Sequence, residues 1–159
     1  MNKQKKSTPL FLVCVNDTEH SRTALQFAAA RAKATDGEVG MLSVVDPLDY
    51  NTIFSVADVI KEERFAEARK LLDDLAKVLR AEDGITPKKW VREGLIAEQV
   101  CAAIEEYNAS FLVLGVAADG SSNKGGLLTA LVEHIGKGYH VPLLVVPGNM
   151  TDKEIEALS

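Results

Sequence analysis

Four consecutive apolar residues at positions 111–114, ended by Gly115, restrict the fold of this chain more than any other feature. A second run of the same kind, at positions 143–146, ends at Pro147. Runs this short, without interspersed polar residues and bounded by turn residues, are typical of strands that are buried on both faces. Such strands occur where helices cover both sides of a parallel sheet, so the runs predict that arrangement.

The segment between the two runs predicts a place where an anion can bind. A polar, glycine-bearing loop at positions 116–126 follows the first run, and a helical pattern begins near Leu127. At a helix N-terminus that follows such a loop, backbone N–H groups point outward and the helix dipole favours negative charge.

Strand-like and helix-like segments alternate along the whole chain. Apolar runs predict strands at 10–15, 38–45, 85–92, 111–114 and 143–146, and spacings of three and four predict helices at 19–34, 56–81, 96–107 and 127–137. This alternation predicts an α/β fold, a three-layer α/β/α sandwich around a five-stranded, parallel, doubly wound sheet. Pro87 near the start of the third strand indicates an edge strand.

Length and composition predict one domain at residues 10–148, with a flexible N-terminal tail at 1–9 and a C-terminal tail at 149–159. A net charge of −5 without a basic stripe argues against binding to nucleic acid. No apolar run approaches the roughly 20 residues that a membrane span needs, and no signal peptide is evident, so we expect a cytoplasmic protein. Cys14 and Cys101 are predicted to be small buried residues rather than a disulfide framework.

Ligands on doubly wound sheets bind beyond the C-terminal ends of the strands. The turns there are predicted at 15–18, 44–46, 93–94 and 115–126. Asp17, Asp46 and Glu93 lie in or beside them and could together hold a cation such as Mg²⁺, although isolated carboxylates at strand ends are more often caps. The three histidines are scattered, and no Cys/His spacing indicates a metal site.

Four segments of the chain resemble the universal stress protein family. They are residues 11–21 at the first strand and turn, 44–47 after the second strand, 111–115 at the fourth strand and 141–147 at the last. The resemblance covers most of the chain from Leu10 to Pro147. It implies the strand order 3-2-1-4-5, as in adenine nucleotide alpha hydrolase-like folds, and a regulatory or binding role in stress responses.

Members of that family fall into ATP-binding and non-binding groups, and the binders share a loop motif of glycines that this chain keeps only in part. Gly115 matches the first glycine, but Ala118 stands at the second, and Thr129 and Ala130 stand where a Gly-Ser or Gly-Thr pair is expected. Asn16 replaces the aspartate that ends the first strand in binders. Alanine restricts the positive φ and the close approach to phosphate that glycine allows.

The resemblance therefore implies a site for ATP or another adenine nucleotide, with Mg²⁺ if the nucleotide is bound. The residues implied are Val15, Asn16, Asp17, Val44, Leu114, Gly115, Ala118, Ser121, Ser122, Thr129 and Ala130. The alternative is that the glycine-rich loop is only a connection and binds nothing.

The last strand is expected at an edge of the sheet, where an exposed apolar strand is a pairing hazard. We therefore expect a homodimer formed by antiparallel pairing through Leu143, Leu144, Val145 and Val146, which the resemblance also implies. The alternative function is a nucleotide hydrolase or nucleotidyl-transfer enzyme on the same sheet. A Ser-Gly-Gly-x-Asp-Ser pyrophosphate loop is missing after the first strand, which counts against that enzyme. A phosphoacceptor receiver domain is disfavoured because no aspartate ends the third strand.

Overall fold

The computed structural model describes residues 8–47, 57–119, 127–138 and 141–159. The strands are β1 (Leu10–Cys14), β2 (Glu38–Val45), β3 (Lys88–Glu93), β4 (Phe111–Val116) and β5 (Leu143–Pro147). The helices are α1 (Glu19–Thr35), α2 (Ala57–Asp83), α3 (Ile96–Glu106), α4 (Leu127–Gly136) and α5 (Asp152–Leu158).

The described strands form one parallel sheet in the order β3-β2-β1-β4-β5, which confirms the predicted fold and topology. Phe11 of the central strand pairs with Val39 on one side and with Phe111 on the other. The rings of Phe11 and Phe111 stack at 4.8 Å. β3 lies at an edge, as Pro87 indicated, because a residue without a backbone N–H is tolerated best where no partner strand follows.

Alternation along the strands divides the core into two apolar layers. Val13 and Met41 pack with residues of α1 and α2 on one face of the sheet. Leu12 and Leu42 have the neighbouring positions and pack with residues of α3 and α4 on the other face. Both layers are buried, which explains why the central strands are continuous apolar runs.

The first helix packs closely on the sheet because its inner face is made of small residues. Ala24, Ala28 and Ala29 are buried there. Thr18 caps the N-terminus and accepts a hydrogen bond from the Ser21 N–H at 3.2 Å. Asp36 ends the helix with a left-handed backbone, a conformation that aspartate adopts more readily than most residues. The strand β1 is thereby followed by a turn whose position is fixed by a cap.

Residues 149–159 are expected from the sequence to form a tail, but in the structure this segment contains a helix, α5. Thr151 and Glu154 form a capping box at its start. Ile155 is buried, with 5% of its surface exposed. The Arg31 guanidinium of α1 donates a hydrogen bond to the backbone oxygen of Ser159 at 3.1 Å. The helix therefore packs on α1, and Arg31 holds its C-terminal end there.

None of the helices in the described ranges combines the length and apolar character that a membrane crossing requires.

We predict that Ile155→Ala lowers the free energy of unfolding by about 2 to 4 kcal/mol, because it removes buried methyl groups between α5 and α1. Leu158→Ala is the matched control, since Leu158 belongs to the same helix and has 60% of its surface exposed. It should change stability by less than about 0.5 kcal/mol. Urea denaturation of both variants measures the difference. Equal, small effects would contradict the packing of α5 on α1.

Candidate functional site

A cavity of about 100 Å³ lies at the C-terminal ends of β1, β2 and β4. The N-terminal turns of α1, α3 and α4 complete its walls. Its lining residues among those described are Cys14, Val15, Asn16, His20, Ser21, Leu42, Val44, Ile96, Val100, Leu114, Gly115 and Leu127. The cavity thus lies where the strand order reverses, between β1 and its two neighbours.

Five residues predicted from the sequence meet in this cavity: Val15, Asn16, Val44, Leu114 and Gly115. They come from three different strand ends, which parallel strands bring to one edge of the sheet. The structure thus brings these five predicted residues together at one cavity.

The other predicted residues lie elsewhere. Ala118 lines a separate hollow of about 290 Å³ beside Glu19 and Asp119. Thr129 is exposed in the first turn of α4, and neither it nor Ala130 lines the 100 Å³ cavity. Ser121 and Ser122 fall outside the described residues, so their assignment to the site stays a prediction.

Asp17 faces away from the cavity. Its carboxylate forms an exposed ion pair with the Arg22 guanidinium, with 2.6 Å between Oδ1 and Nη2. Glu93, a second carboxylate considered for a cation, pairs with Lys61 at 3.0 Å. Within the described ranges no three acidic, cysteine or histidine side chains group as metal ligands. The described carboxylates therefore give no support to a Mg²⁺ site.

Gly115 has a packing role that the sequence did not reveal. A Cβ atom at this position would lie 2.1 Å from the backbone oxygen of His20 and 2.6 Å from its carbonyl carbon. Those atoms belong to the first turn of α1 and cannot move without shifting the helix. The family resemblance implies that this glycine belongs to a nucleotide site. The structure shows that it permits the approach of α1.

Asn16 lines the cavity and uses two of its polar groups for its own turn. Its side-chain oxygen accepts a hydrogen bond from the Thr18 hydroxyl, and its backbone N–H donates to the Ser21 hydroxyl at 2.9 Å. Across the ranges that the structure describes, the side-chain NH₂ group has no partner. It can therefore donate to an acceptor on a ligand.

Sequence reasoning missed several apolar lining residues. Ile96 and Val100 are one turn apart on α3, and Leu42 faces the same side of β2 as Val44. The spacing of four on α3 identified an apolar face but not that its first turn reaches the cavity. Burial raises the pKa of the Cys14 thiol to about 12, with a smaller contribution from nearby Cys101. The thiol is therefore protonated at neutral pH and belongs to the apolar wall rather than serving as a nucleophile.

Comparison with known proteins places the chain in a family. The family model for "Universal stress protein family" matches residues 10–147. The chain belongs to the universal stress protein family. A search of curated proteins found no match.

Solved structures of family members share this fold. A universal stress protein from Lactobacillus plantarum is 18% identical, with a TM-score of 0.69 over 89% of this chain and 99% of that one. A family member from Arabidopsis thaliana with AMP bound is 17% identical, with a TM-score of 0.63 over 92% and 94% of the two chains. A universal stress protein from Archaeoglobus fulgidus in complex with dAMP is 15% identical, with a TM-score of 0.61 over 88% and 98%.

We predict that Gly115→Ala destabilises the fold by about 3 kcal/mol or more, since the added methyl group would collide with backbone rather than with a movable side chain. Gly136→Ala is the control, because a Cβ there meets nothing within 4 Å and the residue lies in a helix. That change should be neutral or stabilise by up to about 1 kcal/mol. Thermal and urea unfolding compare the two. A tolerated Gly115→Ala would show that α1 is not seated on this glycine.

Proposed function

We propose that this protein is a nucleotide-binding regulatory member of its family, which binds an adenine nucleotide in the 100 Å³ cavity and acts in the cytoplasm. The observation that carries the proposal is the convergence of Val15, Asn16, Val44, Leu114 and Gly115 at that cavity. These are residues that the family resemblance implied for nucleotide binding.

The chemistry of the walls suits a purine base. Leu42, Val44 and Leu114 supply apolar contacts on the sheet side, and Ile96 supplies them from α3. The Asn16 NH₂ group at the rim can donate to a ring nitrogen or a ribose oxygen. Small-molecule sites are usually apolar clefts with a small number of polar groups.

The size of the cavity indicates which part of the nucleotide it would hold. Ligand pockets generally enclose about 300–1,000 Å³, and this one has about 100 Å³. The described residues therefore offer room for the base, while ribose and phosphate would extend beyond them. The phosphate contact remains assigned, by prediction, to the loop that contains Ser121 and Ser122.

Two similar proteins support the choice of ligand. The Arabidopsis thaliana protein has AMP bound, and the Archaeoglobus fulgidus protein is in complex with dAMP. Both align with most of this chain, so an adenine nucleotide is a ligand that its fold can accommodate. Adenine is common to these two ligands.

We predict that Ile96→Trp weakens AMP binding at least tenfold, because the larger ring would occupy the cavity from its α3 wall. Leu95→Trp is the matched control, since Leu95 precedes it, is exposed and does not line the cavity. It should leave the affinity unchanged. Isothermal titration calorimetry measures the affinity of each variant for AMP, ATP and GMP.

GMP tests whether the base is recognised. Equal binding of AMP and GMP would contradict an adenine site. The proposal would be refuted if the unmodified protein bound neither AMP nor ATP at millimolar concentration. Equal loss of affinity in the Leu95 and Ile96 variants would place the nucleotide elsewhere.

We further propose that the protein is a homodimer that pairs through β5. The described sheet ends at this strand, which presents Val145 with 42% of its surface exposed. Leu143 and Leu144 are only partly buried. An apolar edge strand of this kind is stabilised when a second copy continues the sheet in the antiparallel direction.

We predict that Val145→Lys shifts the protein from dimer to monomer at micromolar concentration, because it places a charge in the paired edge. Val59→Lys is the control, as Val59 on α2 is similarly exposed at 57% but far from β5 in the topology. Sedimentation velocity distinguishes the species. A monomeric unmodified protein, or a Val145→Lys protein that remains dimeric, would rule out this interface.

A further inference from the structure

A second and larger cavity, of about 540 Å³, lies between α1 and α2. We refer to it as the α1–α2 cleft. Its floor contains Ser43 and Val45 of β2 and Ala68 and Leu75 of α2, and all four residues are buried. Ser43 and Val45 alternate with Leu42 and Val44 along β2. The cleft therefore opens on the face of the sheet opposite to the 100 Å³ cavity proposed for the nucleotide, which we call the nucleotide cavity. Asn16 and Val44 at the strand ends contribute to both cavities.

Ser43 is the unusual residue of this floor. Only 8% of its surface is exposed, yet its hydroxyl has no hydrogen-bond partner among the described residues. Among the described residues, every side-chain nitrogen or oxygen atom that solvent cannot reach has a hydrogen-bond partner. The Ser43 hydroxyl must therefore open into the cleft. Leaving a nearly buried hydroxyl without a protein partner is unfavourable unless something in the cleft, water or a ligand, satisfies it.

Charges at the rim of the cleft balance one another. Arg22 pairs with Asp17 at 2.6 Å, and Arg64 pairs with Glu67 at 3.1 Å. The remaining charged lining residues are one of each sign, Lys70 and Asp74. Because the described rim has no excess charge, it gives no electrostatic preference for an anion or a cation.

The wall formed by α2 is apolar between these charges. Leu71, Leu75 and Val78 succeed one another at spacings of three and four along one side of the helix. Val78 is exposed and Leu71 only partly buried, so apolar surface remains in contact with solvent inside the cleft. A ligand with an apolar body would remove that surface from water.

We propose that the α1–α2 cleft binds a small uncharged amphipathic molecule, whose apolar body packs on α2 and whose single hydroxyl or carbonyl group bonds to the Ser43 hydroxyl. The volume lies within the range of small-molecule pockets, about 300–1,000 Å³. The proposal does not depend on nucleotide binding, since Ser43, Leu71 and Leu75 do not line the nucleotide cavity.

The test uses three probes that share one ring system: 1-naphthol with a hydroxyl, naphthalene without a polar group, and 1-naphthoate with a charge. We expect 1-naphthol to bind the full-length protein saturably and with one-to-one stoichiometry, followed by its fluorescence. Naphthalene should bind about three- to tenfold more weakly, which corresponds to one buried hydrogen bond. The charged 1-naphthoate should bind more weakly than both, because its carboxylate would lose water at a rim whose cations are balanced by an equal number of carboxylates.

Two variants locate the site. Ser43→Ala removes only the hydroxyl, so it should lower the affinity for 1-naphthol about three- to tenfold and leave that for naphthalene unchanged. Leu71→Trp should block the cleft and weaken all three probes at least tenfold, whereas Leu95→Trp, outside the cleft, should weaken none. Methyl NMR of the unmodified protein should show shifts at Leu71, Leu75 and Val78 on addition of 1-naphthol.

The proposal is overturned if no probe binds saturably, if Ser43→Ala leaves 1-naphthol affinity unchanged, or if 1-naphthoate binds as tightly as 1-naphthol. Methyl shifts confined to residues outside the cleft would overturn it as well. AMP titration of Ser43→Ala separates the two sites, because its AMP affinity should match that of the unmodified protein.

Discussion

The close approach of α1 to the ends of β4 and β5 is the contact on which the rest of this structure depends. Gly115 lies under the carbonyl group of His20, and a Cβ atom at Gly148 would meet the Cα and Cβ atoms of the same histidine. Thr23, one turn further along α1, donates a hydrogen bond to the Gly148 oxygen at 3.0 Å. Three elements are thereby held at one point. Their turns can enclose a cavity only because two residues there have no side chain.

Much of the fold could be predicted from the sequence because its signals are local. Continuous apolar runs, the caps near Thr18 and Asp36, and the position of Pro87 each depend on neighbouring residues and on the rules of parallel sheets. The helix α5 also has a local signal, the Thr151 and Glu154 capping box, although this segment was expected to be a tail. Its apolar side consists essentially of Ile155, and a helix of seven residues gives too short a pattern for periodicity to detect.

The site was harder to predict, since its residues are brought together by tertiary contacts. Val44 and Leu114 could be predicted as site residues, because all parallel strands have their C-terminal ends at the same edge of the sheet. The positions of the strand ends could not predict that α3 contributes Ile96, because that contribution depends on how the helix crosses the sheet. The sequence also could not distinguish a glycine that accommodates a phosphate from one that accommodates a helix. Gly115 matches the family pattern and also lies against the first turn of α1, so a matching residue does not by itself establish its role.

The two cavities lie on opposite faces of the sheet at the C-terminal end of β2. Alternation along β2 directs Leu42 to the nucleotide cavity and Ser43 and Val45 to the α1–α2 cleft, while Val44 borders both. The lining of the first is mainly apolar and includes a thiol that burial keeps protonated. At the rim of the second, Asp17 and Glu67 are already paired with arginines.

Val44 and Asn16 border both spaces, so a substitution at either would change two surfaces at once. Ile96 and Ser43 each border only one. The functions of the two cavities can therefore be separated only at residues whose side chains face a single layer of the fold.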